Sequence, residues 1–193
     1  LFPHTTLFRS GGRYGYWTAT PKENVSFGFG ESDDGVNWKV LPPPVLDWAG
    51  NLKPEKCELG AVEKVGEKYY AMVTAKLAPE PPKTYVGRPS MVFISDSPSG
   101  SFSAQKKNFR MLVGDGHFAR FFPSPEGLLI AHHSITKFTP KKNALKPLVY
   151  AAPLKRAFVD EEGIMRLAYW EGNEKLKGSA VKISFPERRS EEK

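Results

Sequence analysis

The side chains that could do chemistry in this sequence are few and spread along the chain. Glu58 opens the stretch Glu58–Ala75 as a carboxylate at the mouth of an otherwise apolar segment. A carboxylate in such a place is a candidate for proton exchange with a bound group. The competing reading is an exposed carboxylate ending a loop after Lys56. Glu63 lies deeper in the same stretch beside Lys64, where a surface ion pair is the plainer expectation. His117, Arg120 and His133 follow. Imidazoles can bind a water or a metal ion, and a guanidinium can reach hydroxyls or a carboxylate; a structural histidine and a surface salt bridge are the plainer alternatives. Trp17 and Trp38 suit strand-core positions. Trp48, after Leu41-Pro-Pro-Pro-Val45, is the candidate ring-stacking platform. Cys57 is the single cysteine, which excludes a disulfide framework and a cysteine-based metal site. Beside Glu58 it reads as a small buried residue. There is no Gly-rich phosphate loop, no His-Glu-x-x-His and no Gly-x-Ser-x-Gly, so nucleotide, zinc-hydrolase and serine-esterase chemistry have no foothold.

The elements that must position these residues are short strands. Glu58–Ala75 reads as two strands joined at Gly66-Glu67, with Ala61, Val62 and Val65 on the first and Tyr69 to Val73 on the second. The same form, a glycine turn followed by aromatic or β-branched residues, recurs from Gly12, Gly127 and Gly163. Ser26–Gly30 and Ser90–Ile94 each lead through a Ser/Asp/Gly turn to an aromatic, Trp38 or Phe102, that opens the next strand. The early copies are spaced as four-stranded propeller blades with long connections would be. The expected fold is therefore all-β, with about three to four blades present. No stretch has a convincing helical period, although Glu171 to Lys177 can make one turn.

Composition agrees. The chain has 193 residues, 40% hydrophobic and 25% charged, long enough for one domain with a real core. Its 17 Gly and 17 Pro favour turns over long helices. The net charge of +7 invites nucleic acid, but Lys and Arg are interleaved with acids and read as a solvated basic surface. No apolar run approaches the roughly 18 residues of a membrane helix. Partners of both kinds, nucleic acid and membrane, are thus not expected.

Leu1–Ser10 does not resemble the rest. It lacks the parts of a signal peptide and is similar to the translation of a common sequencing-library adapter, with His4 in place of Tyr. It is set aside, leaving 11–193 as the propeller domain and the chain as a fragment whose start says nothing about compartment. Lys137–Lys146 reads as a polar loop and Glu187–Lys193 as a charged tail.

Three passages, in order, resemble the five-bladed propellers of glycoside hydrolase family 43 and related clans. Glu58-Leu-Gly-Ala-Val-Glu-Lys-Val-Gly-Glu-Lys-Tyr-Tyr70 is similar to the general-acid strand and its Gly-x-Tyr-Tyr hairpin. Gly114-Asp-Gly-His-Phe-Ala-Arg120, with the hairpin ending His132-His133, resembles the Gly-x-Gly-His strand. Pro153–Gly163 resembles the closing pattern Pro-Leu, a few residues, Asp-x-x-Gly. Leu59-Gly60-Ala61 departs from the usual Gly-Pro, and His132 stands where Tyr is expected. Ser32-Asp-Asp-Gly-Val-Asn-Trp38 resembles the Asp-box turn of sialidases, which makes Asp33 and Asp34 structural.

The resemblance implies a partial five-bladed β-propeller of four-stranded antiparallel blades. It implies a carbohydrate substrate of the arabinofuranoside or xyloside type and inverting hydrolysis with Glu58 as the acid. The family's base and orienting Asp would both lie upstream of Gly11, so the fragment itself is expected to be inactive. His117, Arg120, His133 and Trp48 would contact substrate. No cofactor is expected beyond a water or divalent ion near His117. Action on carbohydrate points to export. The alternative is a non-catalytic glycan-binding propeller.

Overall fold

The computed structural model describes residues 13–19, 25–48, 50, 52, 54–77, 89–112, 116–136 and 148–180, with backbone alone at 77, 116–117, 135–136 and 148–150. The readings made for Leu1–Ser10, Pro79–Pro82, Lys137–Lys146 and Glu187–Lys193 lie outside these residues. Within them the fold is all-β, in three sheets. The first sheet holds β1 (Arg13–Trp17), β2 (Gly28–Ser32) and β3 (Lys39–Leu41), in that order and antiparallel. The second holds β4 (Leu46–Asp47), β5 (Pro54–Val65), β6 (Lys68–Leu77), β7 (Ser90–Ser95), β8 (Phe102–Ala104) and β9 (Arg110–Leu112). Its order is β4-β8-β7-β6-β5, with β9 also on β7. The third holds β10 (Gly116–Ser124), β11 (Gly127–Thr136), β12 (Leu148–Ala151), β13 (Lys155–Val159) and β14 (Met165–Tyr169), in the order β10-β11-β13-β14 with β12 on β11. The single turn expected after Trp170 is a 3-10 helix, Glu171–Leu176.

The hairpins form where glycine permits the backbone to reverse. Val65 pairs with Lys68 across Gly66-Glu67, and Gly66 has φ +61, as a glycine-led two-residue turn requires. In the β13–β14 turn the Asp160 carboxylate accepts from the backbone N–H of Glu162 at 3.0 Å and of Ile164 at 2.9 Å, and from Arg166 Nε at 2.6 Å. Those bonds, the arginine's first, hold its pKa below the ordinary value.

The second sheet lies between the other two, and strand alternation divides its side chains between two cores. On one face Cys57, Leu59, Val62, Ala71, Val73 and Phe93 pack with Tyr16, Phe27 and Phe29 of the first unit. On the other, Ala61, Tyr70, Met72 and Val92 pack with Ala119, Phe121, Ile130 and Met165 of the third. Polar ties cross both layers. Tyr16 Oη donates to Pro98 O at 2.8 Å, Tyr70 Oη to Gly163 O at 3.0 Å, and buried Gln105 brackets Met165.

Candidate functional site

The site is built where the edge strands β5 and β10 meet, and each carries a bulge there. In β5, Leu59 pairs with Val73 and Ala61 with Met72, so Gly60 is the extra residue. The extra residue reverses the alternation. Glu58, opposite Thr74, therefore shares a face with Ala61 and with Glu63, opposite Tyr70, and that face is turned to the third sheet. Gly60 itself lies against β10: a Cβ on it would overlap the Ala119 carbonyl oxygen and stand 3.2 Å from Met72 O.

Glu58 is half-buried, with its Oε2 out of contact with solvent. Next along the same row, Thr74 Oγ1 and Ser90 Oγ form a buried hydroxyl pair at 3.0 Å. Cys57 points the other way, its Sγ donating to Ser26 O at 3.2 Å. Burial, and secondarily the neighbouring Glu58 carboxylate, push its thiol up to about 12. Glu63 corrects the sequence expectation. It is half-buried and burial raises its pKa, whereas Lys64 pairs with Glu67 at 3.5 Å.

In β10, His117 pairs with His133 and Arg120 with Ala131, so Phe118 and Ala119 together oppose His132. Ala119 is fully buried in the second core, and its carbonyl meets Gly60. Phe118 has φ +50, a left-handed conformation that a bulky side chain rarely adopts. Its ring stands edge-to-face with His133, centroids 5.9 Å apart at 67°. Arg120, partly exposed, and His133, exposed, lie on one face of the third sheet, the face turned away from the second. The fold thus sets the Phe118 ring against His133 and puts Arg120 on the same face as His133, while His117 is placed by its backbone as the partner of His133. Phe118 escaped the sequence reading. Its only signal is an aromatic between His117 and Arg120, and nothing in strand alternation announces a bulge.

His132, 8% exposed, occupies the opposite face. Its Nδ1–H donates to His133 O at 3.1 Å, and its Nε2 accepts from the Lys155 ammonium at 2.8 Å. Burial, chiefly, lowers its pKa, with the Lys155 charge acting the same way. Where the family resemblance leads one to expect Tyr, this chain places a neutral imidazole that joins β11 to β13.

Trp48, partly buried, packs against the first core: it meets Phe93 at 4.9 Å, edge-on, and its Nε1 donates to Val25 O at 3.4 Å. Trp17 lies over Gly28 and Trp38 over Gly15. Asp34 closes its turn by accepting from Val36 N at 2.8 Å and from Asn37 N at 2.7 Å, bonds that hold its pKa down. Among the described residues, no three His, Cys, Asp or Glu side chains converge as metal ligands would, and no helix is long and apolar enough to cross a membrane.

No protein-family profile matches the chain, and no curated protein matches it. Solved structures do. The chain is similar to an α-L-arabinofuranosidase (CtGH43) from Clostridium thermocellum ATCC 27405, with TM-score 0.51 and 14% identity over 86% of this chain and 51% of that one. It is similar as well to an exo-1,5-α-L-arabinanase from a bovine ruminal metagenomic library, with TM-score 0.52 and 11% identity over 86% of this chain and 56% of the other. These neighbours are β-propellers, and the likeness gives this chain their fold. The chain spans about half the length of the solved structures it resembles.

Proposed function

We propose that the chain is part of a five-bladed propeller glycoside hydrolase that cleaves arabinofuranosyl or xylosyl linkages with inversion, Glu58 being the general acid. The observation that carries this reading is the position of Glu58. It is a half-buried carboxylate two residues before Gly60, the bulge residue that is pinned against the edge strand of the next sheet. Pinning fixes the acid relative to a second strand, which proton delivery to a leaving oxygen needs. The fold shared with an arabinofuranosidase and an arabinanase supports this choice of substrate class.

In this mechanism the Glu58 carboxyl gives its proton to the glycosidic oxygen as the C–O bond breaks. A water then adds to the anomeric carbon from the opposite side, losing its proton to a base carboxylate about 6.5–9.5 Å away. That base is a residue outside those described.

The test is Glu58→Gln in the complete propeller, assayed on an aryl α-L-arabinofuranoside and an aryl β-xyloside. A loss of about a thousand-fold in kcat is expected, since an amide has no proton to deliver. Wild-type turnover in the variant would sink the assignment. A non-catalytic glycan-binding propeller is the second reading. The Phe118–Arg120–His133 cluster favours it, for these groups can hold a sugar without a carboxylate pair; glycan binding with no hydrolysis by the complete propeller would select it.

A further inference from the structure

We infer that Thr74 is a positioning residue for Glu58: its hydroxyl, oriented by Ser90, donates toward the Glu58 carboxyl and steadies the charge that builds there as the acid gives up its proton. This rests on the hydrolase reading above. Three polar side chains stand in register across the second sheet, Glu58 of β5 opposite Thr74 of β6, and Thr74 opposite Ser90 of β7. All three lie on the face turned to the third sheet, where Tyr70, Met72 and Val92 continue the same strands into the second core. Thr74 is 2% exposed and Ser90 0%, so neither hydroxyl is there to meet solvent. Valine has the shape of threonine and would fill the position on β6 without burying a polar group. Packing therefore accounts for the branched side chain and leaves its hydroxyl unexplained.

The row also has a direction. Thr74 Oγ1 and Ser90 Oγ are 3.0 Å apart, and a single proton fills the gap between them. Each hydroxyl carries its own proton, so one of the pair still has a proton to donate elsewhere. Beyond Ser90 the row continues to Leu112 of β9, which is buried and has no acceptor in its side chain. Beyond Thr74 it continues to Glu58, whose carboxylate is an acceptor. Both protons are placed when Ser90 donates to Thr74 and Thr74 donates toward Glu58, directly or through one bridging water. A carboxylate has about four lone-pair sites, so this bond adds to any other that Glu58 accepts. A hydroxyl bonds an anionic oxygen more strongly than a neutral one. The gain therefore grows as the proton passes to the leaving oxygen, which is where it speeds the reaction.

The experiment measures kcat and KM of the complete propeller as wild type, Thr74→Val, Thr74→Ser and Glu58→Gln. The substrates are phenyl and dinitrophenyl α-L-arabinofuranosides and the matching β-xylosides. A dinitrophenolate departs without a proton, whereas a phenolate needs one, so the ratio of the two rates reports the acid step. The expected result is kcat about ten-fold lower in Thr74→Val on the phenyl substrate, near wild type on the dinitrophenyl substrate, with KM unchanged and the rate recovered in Thr74→Ser. A hydroxyl that only packs would lower both rates together or neither, and either result overturns the role. If Glu58→Gln loses the phenyl rate selectively and Thr74→Val does not, the Thr74 role is wrong and Glu58 stands as the acid. If Glu58→Gln keeps both rates, or the wild type cleaves neither series, the acid reading falls and the Thr74 role falls with it. Should Thr74→Val fail to fold, the Thr74 hydroxyl proton resonance of the wild-type chain is compared with that of Glu58→Gln. It shifts if Thr74 donates to the carboxyl, and an unmoved resonance overturns the role.

Discussion

Gly60 of β5 lies directly against the carbonyl oxygen of Ala119 on β10, and a Cβ at position 60 would overlap that oxygen. Both atoms belong to backbone, and both residues sit in bulges. The contact is therefore the point at which two sheets are keyed to one another, and it fixes Glu58 on one side relative to Phe118 on the other.

Gly60→Ala tests that key. Neither the Ala119 carbonyl nor the Met72 carbonyl, 3.2 Å from the added methyl, belongs to a side chain that could swing away. The substitution is expected to cost about 3 kcal/mol through forced separation of the strands, read as a lower urea midpoint. An unchanged midpoint would mean that β5 and β10 are not held in this register.

A pH dependence follows from His132. Its folded pKa is lowered from the ordinary 6.5, first by burial and then by the Lys155 charge, although the bond to His133 O opposes the shift. A group depressed in the fold contributes stability that is present above its unfolded pKa and lost as pH falls through the folded value. Stability should thus begin to fall below about pH 6.5 as the imidazole must take a proton 2.8 Å from an ammonium. His132→Gln should flatten the stability curve between pH 7 and 5 while leaving the later acid loss from Asp160, whose carboxyl titrates below its ordinary 3.8. Urea titrations across that range would show whether the slope follows His132.

Cys57 provides a reporter of opening. Its thiol is buried and pushed up to about 12, so almost no thiolate exists at pH 8. Labelling by a maleimide at that pH should be slow in the native protein and should accelerate in urea in step with loss of the first core. Fast labelling in native buffer would contradict the packing of β5 on the Ser26 segment.

Gln105 is 2% exposed and holds the second sheet to the third. Its Oε1 accepts from Met165 N at 2.8 Å, and its Nε2 donates to Lys107 O at 2.7 Å. Gln105→Leu keeps the volume but leaves a buried N–H without its acceptor, at a cost of about 2 kcal/mol. For a chain of this size that is a fall of roughly 4–8 °C in melting temperature by calorimetry.

Much of this fold can be read from residue types. The hairpins announce themselves because Gly66, Gly127 and Gly163 supply positive φ between segments of alternating or apolar residues. The Asp34 and Asp160 turns are equally local, since each carboxylate bonds to backbone only a few residues ahead. A carboxylate ahead of an apolar run marks Glu58, although the strand begins earlier, at Pro54, and holds Glu58 in its interior, and three short passages suffice to suggest the propeller. The site is another matter. Counting by twos from Glu58 would place Glu63 on the other face, and counting along β10 from the His117–His133 pair would set Ala119, not Arg120, opposite Ala131. Each inference fails because one strand carries an extra residue that its partner lacks, and a bulge is defined by inter-strand hydrogen bonds. The burial of Glu63, the packing of Trp48 on Phe93 and the strain at Phe118 have the same origin: each depends on what another strand places opposite. Local chemistry wrote the strands and turns of this protein, whereas the bulges where β5 packs against β10, through one glycine and one carbonyl, decided which of its side chains share a face.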